Sequence, residues 1–437
     1  MKKLSAISIL FTVLSATSFA QVKDGITIGG WGSIGLTPLV ATFDQDRGST
    51  TVDGELYSSL GWAYGNRPRL RLDVNGAEPG GRYGFTLRIA TNDLTSFGVQ
   101  NFARVWVSPI PQIRVDAGKF REDALRGKVD DNSSNTYVLP MMDGNSIFSR
   151  FDVGAGALLT IKPIDGLFIG AKADFGGNNL SGGFPNDFSA ATLAKEGYRN
   201  NHFAVGYTLP DIGLVRAQFI GTDHSLSRQL NSAAYTAAAL SALGNSGLTF
   251  FPIVNGIKAN EAQVAFALTA IDDLIIDVGF KYPFALKDTA LGAIDVTVQK
   301  PLHAAVGVSF AAGDFDIKGR VDADFGGSVK AKSTLGSAEH SIPAVFNFHI
   351  LPKYNLGFAS VGVELGLIVY GPAKQIKPVE TKVEGGAAFG AGLWLFKSLG
   401  NGTAQVGVSF QPNSEYFKKT SYSQGFIAIP LLFEYSF

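Results

Sequence analysis

From Gly25 to the end of the chain, apolar residues recur at every second position in segments of about nine to twelve residues, the period of a strand with one apolar face. Tyr83, Phe85, Leu87 and Ile89 alternate with Gly84, Thr86, Arg88 and Ala90. Phe203, Val205, Tyr207 and Leu209 alternate with His202, Ala204, Gly206 and Thr208. Phe315, Ile317 and Val321 alternate with Asp316, Lys318, Arg320 and Asp322. The pattern predicts about 18 strands, with 16 the other count the spacing allows. They fall near 25–37, 67–76, 82–92, 101–109, 112–120, 148–162, 166–176, 200–209 and 212–221 in the first half. In the second half they fall near 260–270, 273–283, 302–312, 315–326, 342–352, 357–371, 383–396, 403–411 and 425–437.

The connections alternate as well, a long one followed by a short one. The short ones, 75–81, 108–111, 163–165, 210–211, 271–272, 311–314, 351–355 and 397–402, are rich in Pro, Gly, Asp and Asn, as tight hairpins require. The long ones include 120–147, 177–199, 222–259 and 371–382. A soluble sandwich has no reason to sort its loop lengths by parity, whereas a membrane-spanning barrel does. In lipid every backbone N–H and C=O must find a partner, so a spanning sheet has to close on itself. The fold class expected is therefore all-β: a transmembrane antiparallel up-and-down β-barrel over residues 21–437.

Composition narrows what such a barrel could do. Among 437 residues there is no cysteine, which excludes disulfides, thiolate metal sites and cysteine nucleophiles. Glycine, at 52 residues, exceeds the ~7% typical of proteins, and the charged fraction of 17% is below the typical ~25%. Lys plus Arg and Asp plus Glu are both 37, so bulk charge does not suit the chain to a nucleic acid. Residues 1–20 have the plan of a secretory signal peptide: Lys2 and Lys3, an apolar run from Leu4 to Leu14, and Ser18-Phe19-Ala20 before a cut at Gln21. Removing that segment would leave the chain two charges on the acidic side. No later run of 18 or more apolar residues predicts a helical span.

The last strand ends on an aromatic residue, with Phe433, Tyr435 and Phe437 on one face and Pro430 expected at a bulge or kink. This terminus resembles the closing-strand signal of Gram-negative outer-membrane barrels. Residues 82–150 carry the resemblance further. Arg104-Val105-Trp106-Val107 and Arg114-Val115-Asp116-Ala117-Gly118-Lys119-Phe120 form a short-turned strand pair followed by a long third loop. That layout resembles the porin family, whose third loop folds inward and narrows the pore. The resemblance implies an outer-membrane location, contact with outer-membrane lipid, delivery by the barrel-assembly machinery, passage of small hydrophilic solutes, and either a homotrimer or a lone barrel. It implies no cofactor and no metal.

On this reading the loop near 120–147 places Arg121, Glu122, Asp123, Arg126, Asp130 and Asp131 at the constriction. The polar faces of neighbouring strands put Arg67, Arg69, Arg71, Arg88, Arg104, Arg114 and Arg150 on the pore wall, with Asp73, Asp116 and Asp152 beside them. Guanidinium stays charged at any working pH and grips carboxylates through two parallel bonds. Arginines facing an acidic loop would set a transverse field and favour anionic or zwitterionic solutes. Trp31, Trp106 and Trp394 could also face inward, as the aromatic residues of sugar channels do. Enzyme chemistry finds no support: the five histidines are dispersed without metal-ligand spacing, and nothing orders a Ser-His-Asp triad. The other class left open is a non-conducting structural or adhesive surface barrel.

Overall fold

The computed structural model of the chain describes residues 25–44, 49–55, 69–91, 98–122, 127–129, 151–174, 201–220, 261–283, 286–288, 294–299, 302–333, 336–342, 344–377, 381–383, 385–411 and 425–437. The first part of the chain forms β1 (Ile26–Asp44), β2 (Ser49–Glu55), β3 (Arg69–Ala77), β4 (Tyr83–Thr91), β5 (Gly98–Ile110), β6 (Ile113–Glu122), β7 (Phe151–Ile161) and β8 (Leu167–Asp174). The middle forms β9 (Asn201–Leu209), β10 (Gly213–Ile220), β11 (Glu261–Ile271), β12 (Leu274–Pro283), β13 (Leu286–Asp288), β14 (Ile294–Gln299), β15 (His303–Ala312), β16 (Phe315–Asp324) and β17 (Gly327–Ser333). The last part forms β18 (Gly336–Ile342), β19 (Val345–Asn355), β20 (Ser360–Tyr370), β21 (Ala373–Lys377), β22 (Thr381–Val383), β23 (Gly386–Leu399), β24 (Gly402–Gln411) and β25 (Gly425–Ser436).

The wall runs in chain order. β1 pairs with β3, and each strand from β3 to β12 pairs antiparallel with the next. The ring continues through β15, β16, β19, β20, β23, β24 and β25. β25 pairs back onto β1, from Trp31↔Ser436 to Phe43↔Gly425, closing an 18-strand antiparallel barrel. Apolar side chains such as Val105, Phe280, Leu365 and Leu393 are exposed on the outer face. The alternate positions, among them Asp116, Lys172, Arg216, Asp277 and Glu364, are polar and lie on the inner face.

The seam depends on the last residue. The Phe437 N–H donates to the Gly30 carbonyl (3.0 Å), and the Gly30 N–H donates to the Phe437 carbonyl (2.8 Å). The Phe437 ring lies over Gly30, where any Cβ would collide with it. The bulge expected at Pro430 is a joint one. The β1–β25 register slips between Leu36 and Leu39, around Pro38 and opposite Pro430, because neither proline has an N–H to give the ladder.

Most expected strands are present within a few residues, but three differences are informative. The turn expected at 351–355 lies at 356–359, closed by the Leu356 N–H on the Ala359 carbonyl (2.8 Å). Pro352 and Asn355 instead belong to β19, and the proline sits where the ladder to β20 is interrupted between Ile350 and Lys353. β1 outruns its expected end at residue 37 and folds back as a hairpin with β2. Finally, connections expected as long loops, 371–382 among them, carry a second sheet in the order β13-β14-β17-β18-β21-β22. These strands continue the order of β12, β15, β16, β19, β20 and β23, so one side of the wall is raised. A strand beyond the lipid has water on both faces, which weakens the alternation that marks a spanning strand.

At the short-turn end Glu78 accepts the Arg82 N–H (3.2 Å) and lies 3.7 Å from its guanidinium. The Arg82 N–H, with that of Gly80, holds the carboxyl below its ordinary range. Asp211 and Asp273 take φ values of 58° and 63° in tight turns, a conformation Asp tolerates better than most residues.

The seam makes a direct prediction. Gly30→Val should lower the stability of the refolded barrel by about 1–3 kcal/mol through overpacking against Phe437. Urea unfolding followed by loss of the heat-modifiable band would measure it, and an unchanged midpoint would show that the ring contact does not hold the seam.

Candidate pore lining

The inner wall is organised around a short motif, Arg-x-Asp, on three described strands: Arg71-Leu72-Asp73 on β3, Arg114-Val115-Asp116 on β6 and Arg320-Val321-Asp322 on β16. Residues two apart on a strand share a face, so each pair points the same way. Arg71 Nε lies 2.8 Å from Asp73. Arg114 grips Asp116 with two bonds of 2.9 and 2.7 Å, and Arg320 grips Asp322 with two of 2.7 Å. In each case the adjacent strand adds a second basic group to the same carboxylate. Arg88 Nε donates to Asp73 (2.6 Å), Arg104 lies 3.6 Å from Asp116, and His303 Nε2 lies 3.3 Å from Asp322.

The first two triads each carry two guanidinium groups on one carboxylate, so each is net positive. Burial decides which charge a solute would meet. The side chains of Arg71, Arg88, Arg104 and Arg114 are 36, 21, 19 and 33% exposed, whereas Asp73 and Asp116 are 16 and 1% exposed. On the inner face the guanidinium groups are the more exposed members of each triad, most clearly beside Asp116. Counted round the ring from β1, β3 to β6 are the second to fifth strands, and β15 and β16 are the twelfth and thirteenth. The third triad therefore stands across the diameter from the first two.

Between the arcs lies a seat of small residues. Ala265, Ala267 and Ala305 are buried on the inner face, and Gly307 pairs with Asp277. Arg216 on β10 reaches past β11 to Asp277 on β12 (3.1 Å). Asp277 also accepts the Val129 N–H (2.6 Å), and Val129 packs against Gly307. Residues 127–129 follow β6 in the chain, yet they touch β12 and β15 on another part of the wall. Nothing local in the sequence signals this contact between residues 148 apart.

Trp394 and Trp106 pack into the wall. Trp394 is 1% exposed, its Nε1–H donates to Glu364 Oε2 (2.9 Å), and it lies on Gly407, which has no Cβ to lift it. His349 Nε2 is 2.9 Å from the other oxygen of Glu364. Trp106 lies on Gly84, with the Arg114 guanidinium 4.3 Å above its ring. Faces occupied in this way do not offer the row of free rings that a sugar path would need.

Of the residues expected on the wall, Arg71, Arg88, Arg104 and Arg114 are brought together. Arg69 opens β3 opposite Ser33, and Arg67 and Arg150 lie outside the described residues. Of those expected in the third loop, Arg121 and Glu122 are instead the last residues of β6, where the ladder to β7 slips before pairing Glu122 with Phe151. Asp123, Arg126, Asp130 and Asp131 lie outside the described residues. Phe433, Tyr435 and Phe437 share the face opposite buried Ala428 and Leu432 and point outward. Among the described residues no cluster of His, Asp and Glu could hold a metal ion.

No protein-family model matches the chain, and no curated protein matches it. Solved structures resemble it at low identity. OmpT, an outer membrane protein of Vibrio cholerae folded in vitro, is 12% identical over 96% of this chain and 100% of its own, with a TM-score of 0.40. An anion-selective porin from Comamonas acidovorans is 10% identical over 94% of this chain and 99% of its own, with a TM-score of 0.42. Salmonella typhi OmpF in complex with daunomycin is 11% identical over 94% of this chain and 97% of its own, with a TM-score of 0.41. At these scores the barrel assignment rests on the strand pairing alone.

The triads predict unequal costs for removing carboxylates. Asp116→Ala, which removes a buried carboxylate from the two bonds of Arg114 and the approach of Arg104, should cost about 2–3 kcal/mol. Asp316→Ala, in which an exposed carboxylate loses a 3.7 Å contact with Lys353, should cost under about 1 kcal/mol. Urea unfolding followed by tryptophan fluorescence would rank them; equal costs would mean that Asp116 does not organise the arc.

Proposed function

We propose that this chain is an outer-membrane porin, a passive diffusion channel for small hydrophilic solutes. The observation that carries the reading is the inner face itself. A barrel with an apolar outside presents a polar, charge-bearing inside, with four partly exposed guanidinium groups on consecutive strands. Such a lining suits water and ions and has no use in a dry core. Residues 1–20 serve as the export signal, the short turns face the periplasm, and Phe433, Tyr435 and Phe437 present the closing strand to the assembly machinery. The acyl chains of the outer membrane cover the outward aliphatic and aromatic residues.

The third loop, which leaves β6 after Glu122, folds into the lumen. The Val129–Asp277 bond and the seating of Val129 on Gly307 support this, because they hold the loop's described residues against the inner wall. The constriction is then bounded by the loop on one side and the arginine arc on the other. A solute crossing it exchanges water for guanidinium contacts on one flank. Carboxylates and phosphates gain two parallel hydrogen bonds there, and zwitterions align with their anionic end to the arc. The pore therefore favours anionic or zwitterionic solutes over cations. No chemistry is performed on the solute.

Arg88→Ala with Arg104→Ala tests this while leaving Asp73 with Arg71 and Asp116 with Arg114. The chloride-to-potassium permeability ratio, read as reversal potential across a salt gradient, should fall about two- to tenfold. Unchanged reversal potentials would remove the arginine arc from the selectivity of the pore.

A further inference from the structure

The third triad departs from the other two at one position. Where Asp73 has Arg88 and Asp116 has Arg104, Asp322 has His303. We infer that His303 sets the charge of the arc facing the arginines and so determines the ion preference of the pore. The inference rests on the channel reading above and names a residue of that same lining.

His303 opens β15 and is 3% exposed on the inner face. Asp324 Oδ1 on β16 lies 2.6 Å from Nδ1, and Asp322 Oδ1 lies 3.3 Å from Nε2, so each ring nitrogen faces a different carboxylate. Nδ1 is hydrogen-bonded to Asp324, and Nε2, within ion-pair distance of Asp322, makes no hydrogen bond; the imidazolium therefore places a positive charge between two carboxylates, which the neutral ring does not. Arg320 grips Asp322 from the same strand. Beyond Arg320, on β19, lies His349, 2.9 Å from Glu364 of β20. On the other neighbour of β15, β12, the register places Lys281 opposite His303, and Lys281 lies 3.4 Å from Glu261. No titratable side chain of β15 shares the inner face with His303.

The charge count follows. With imidazolium, Arg320 and His303 match the charges of Asp322 and Asp324 within this cluster. When a hydroxide removes the ring proton, the wall across the diameter from the arginine arc becomes one unit more negative. The arginines cannot change in step, because guanidinium holds its proton throughout. Raising the pH thus lowers the preference for anions and deepens the transverse field, and acid restores the preference. A single charge facing an aqueous lumen changes a permeability ratio by about two- to fivefold, and less at high salt.

The test is reversal potential across a potassium chloride gradient, measured from pH 5 to 9, a range that brackets ordinary imidazole titration near ~6.5. Three refolded, heat-modifiable proteins are compared: wild type, His303→Gln and His303→Arg. Wild type should lose anion preference about two- to fivefold as the pH rises. Glutamine, uncharged throughout, should hold the high-pH value at every pH. Arginine, which copies the first two triads, should hold the low-pH value. A conducting wild type whose preference does not change with pH, or a glutamine variant that titrates as wild type does, overturns the assignment of His303. Folded barrels that pass no current would overturn the channel reading itself, and the role of His303 with it.

Discussion

Backbone pairing in a medium without water is the constraint on which the rest of this structure depends. An unpaired N–H or C=O in hydrocarbon costs several kcal/mol, so eighteen strands can cross only if the last finds the first. The β1–β25 seam meets that demand along its length and shows what closure requires at its awkward points. Pro38 and Pro430 have no donor, and the ladder slips around them instead of leaving a row of broken pairs. Phe437 completes the seam through both of its backbone groups, and Gly30 leaves room for its ring. Closure also fixes the alternation: once one face of every strand meets lipid, the other face is collected into a single interior.

That interior has to keep charges in a thin wall beside lipid, which explains the arrangement of the arginines. A lone guanidinium or carboxylate pressed into such a wall is costly, while a carboxylate held between two basic groups is satisfied. The Arg-x-Asp spacing provides the first pairing along a strand, and the adjacent strand provides the second. The same device is built twice with arginine and once with histidine. Glycine serves the large side chains similarly: Trp394 and Trp106 lie flat because Gly407 and Gly84 give way beneath them.

The spanning strands were legible in the sequence because lipid imposes a uniform partner on one face. Phe203, Val205 and Tyr207 declare their orientation without reference to any distant residue. The raised second sheet was not legible in this way, because strands such as Gly327–Ser333 lie beyond the spanning part, where neither face answers to a single solvent. Arg121 and Glu122 were misplaced for a related reason: polar residues at the end of β6 look the same in a strand above the lipid as in a loop. Of the inner face, the placement of Arg71, Arg88, Arg104 and Arg114 follows from their parity. The pairing of Asp277 with Val129 and Arg216 was not, since it joins segments that only closure of the ring brings together. The triads stood in the sequence as Arg-x-Asp, but their second basic partners are set by register, which alternation alone does not give.

Single-channel recording of the refolded chain in a planar bilayer, in symmetric potassium chloride, tests the central claim most directly. A closed barrel with a charged aqueous interior should insert in discrete events, each adding an equal, ohmic increment of current. A heat-modifiable, fully folded barrel that inserts and passes no current would contradict it and would leave a surface barrel whose arginines serve only the wall.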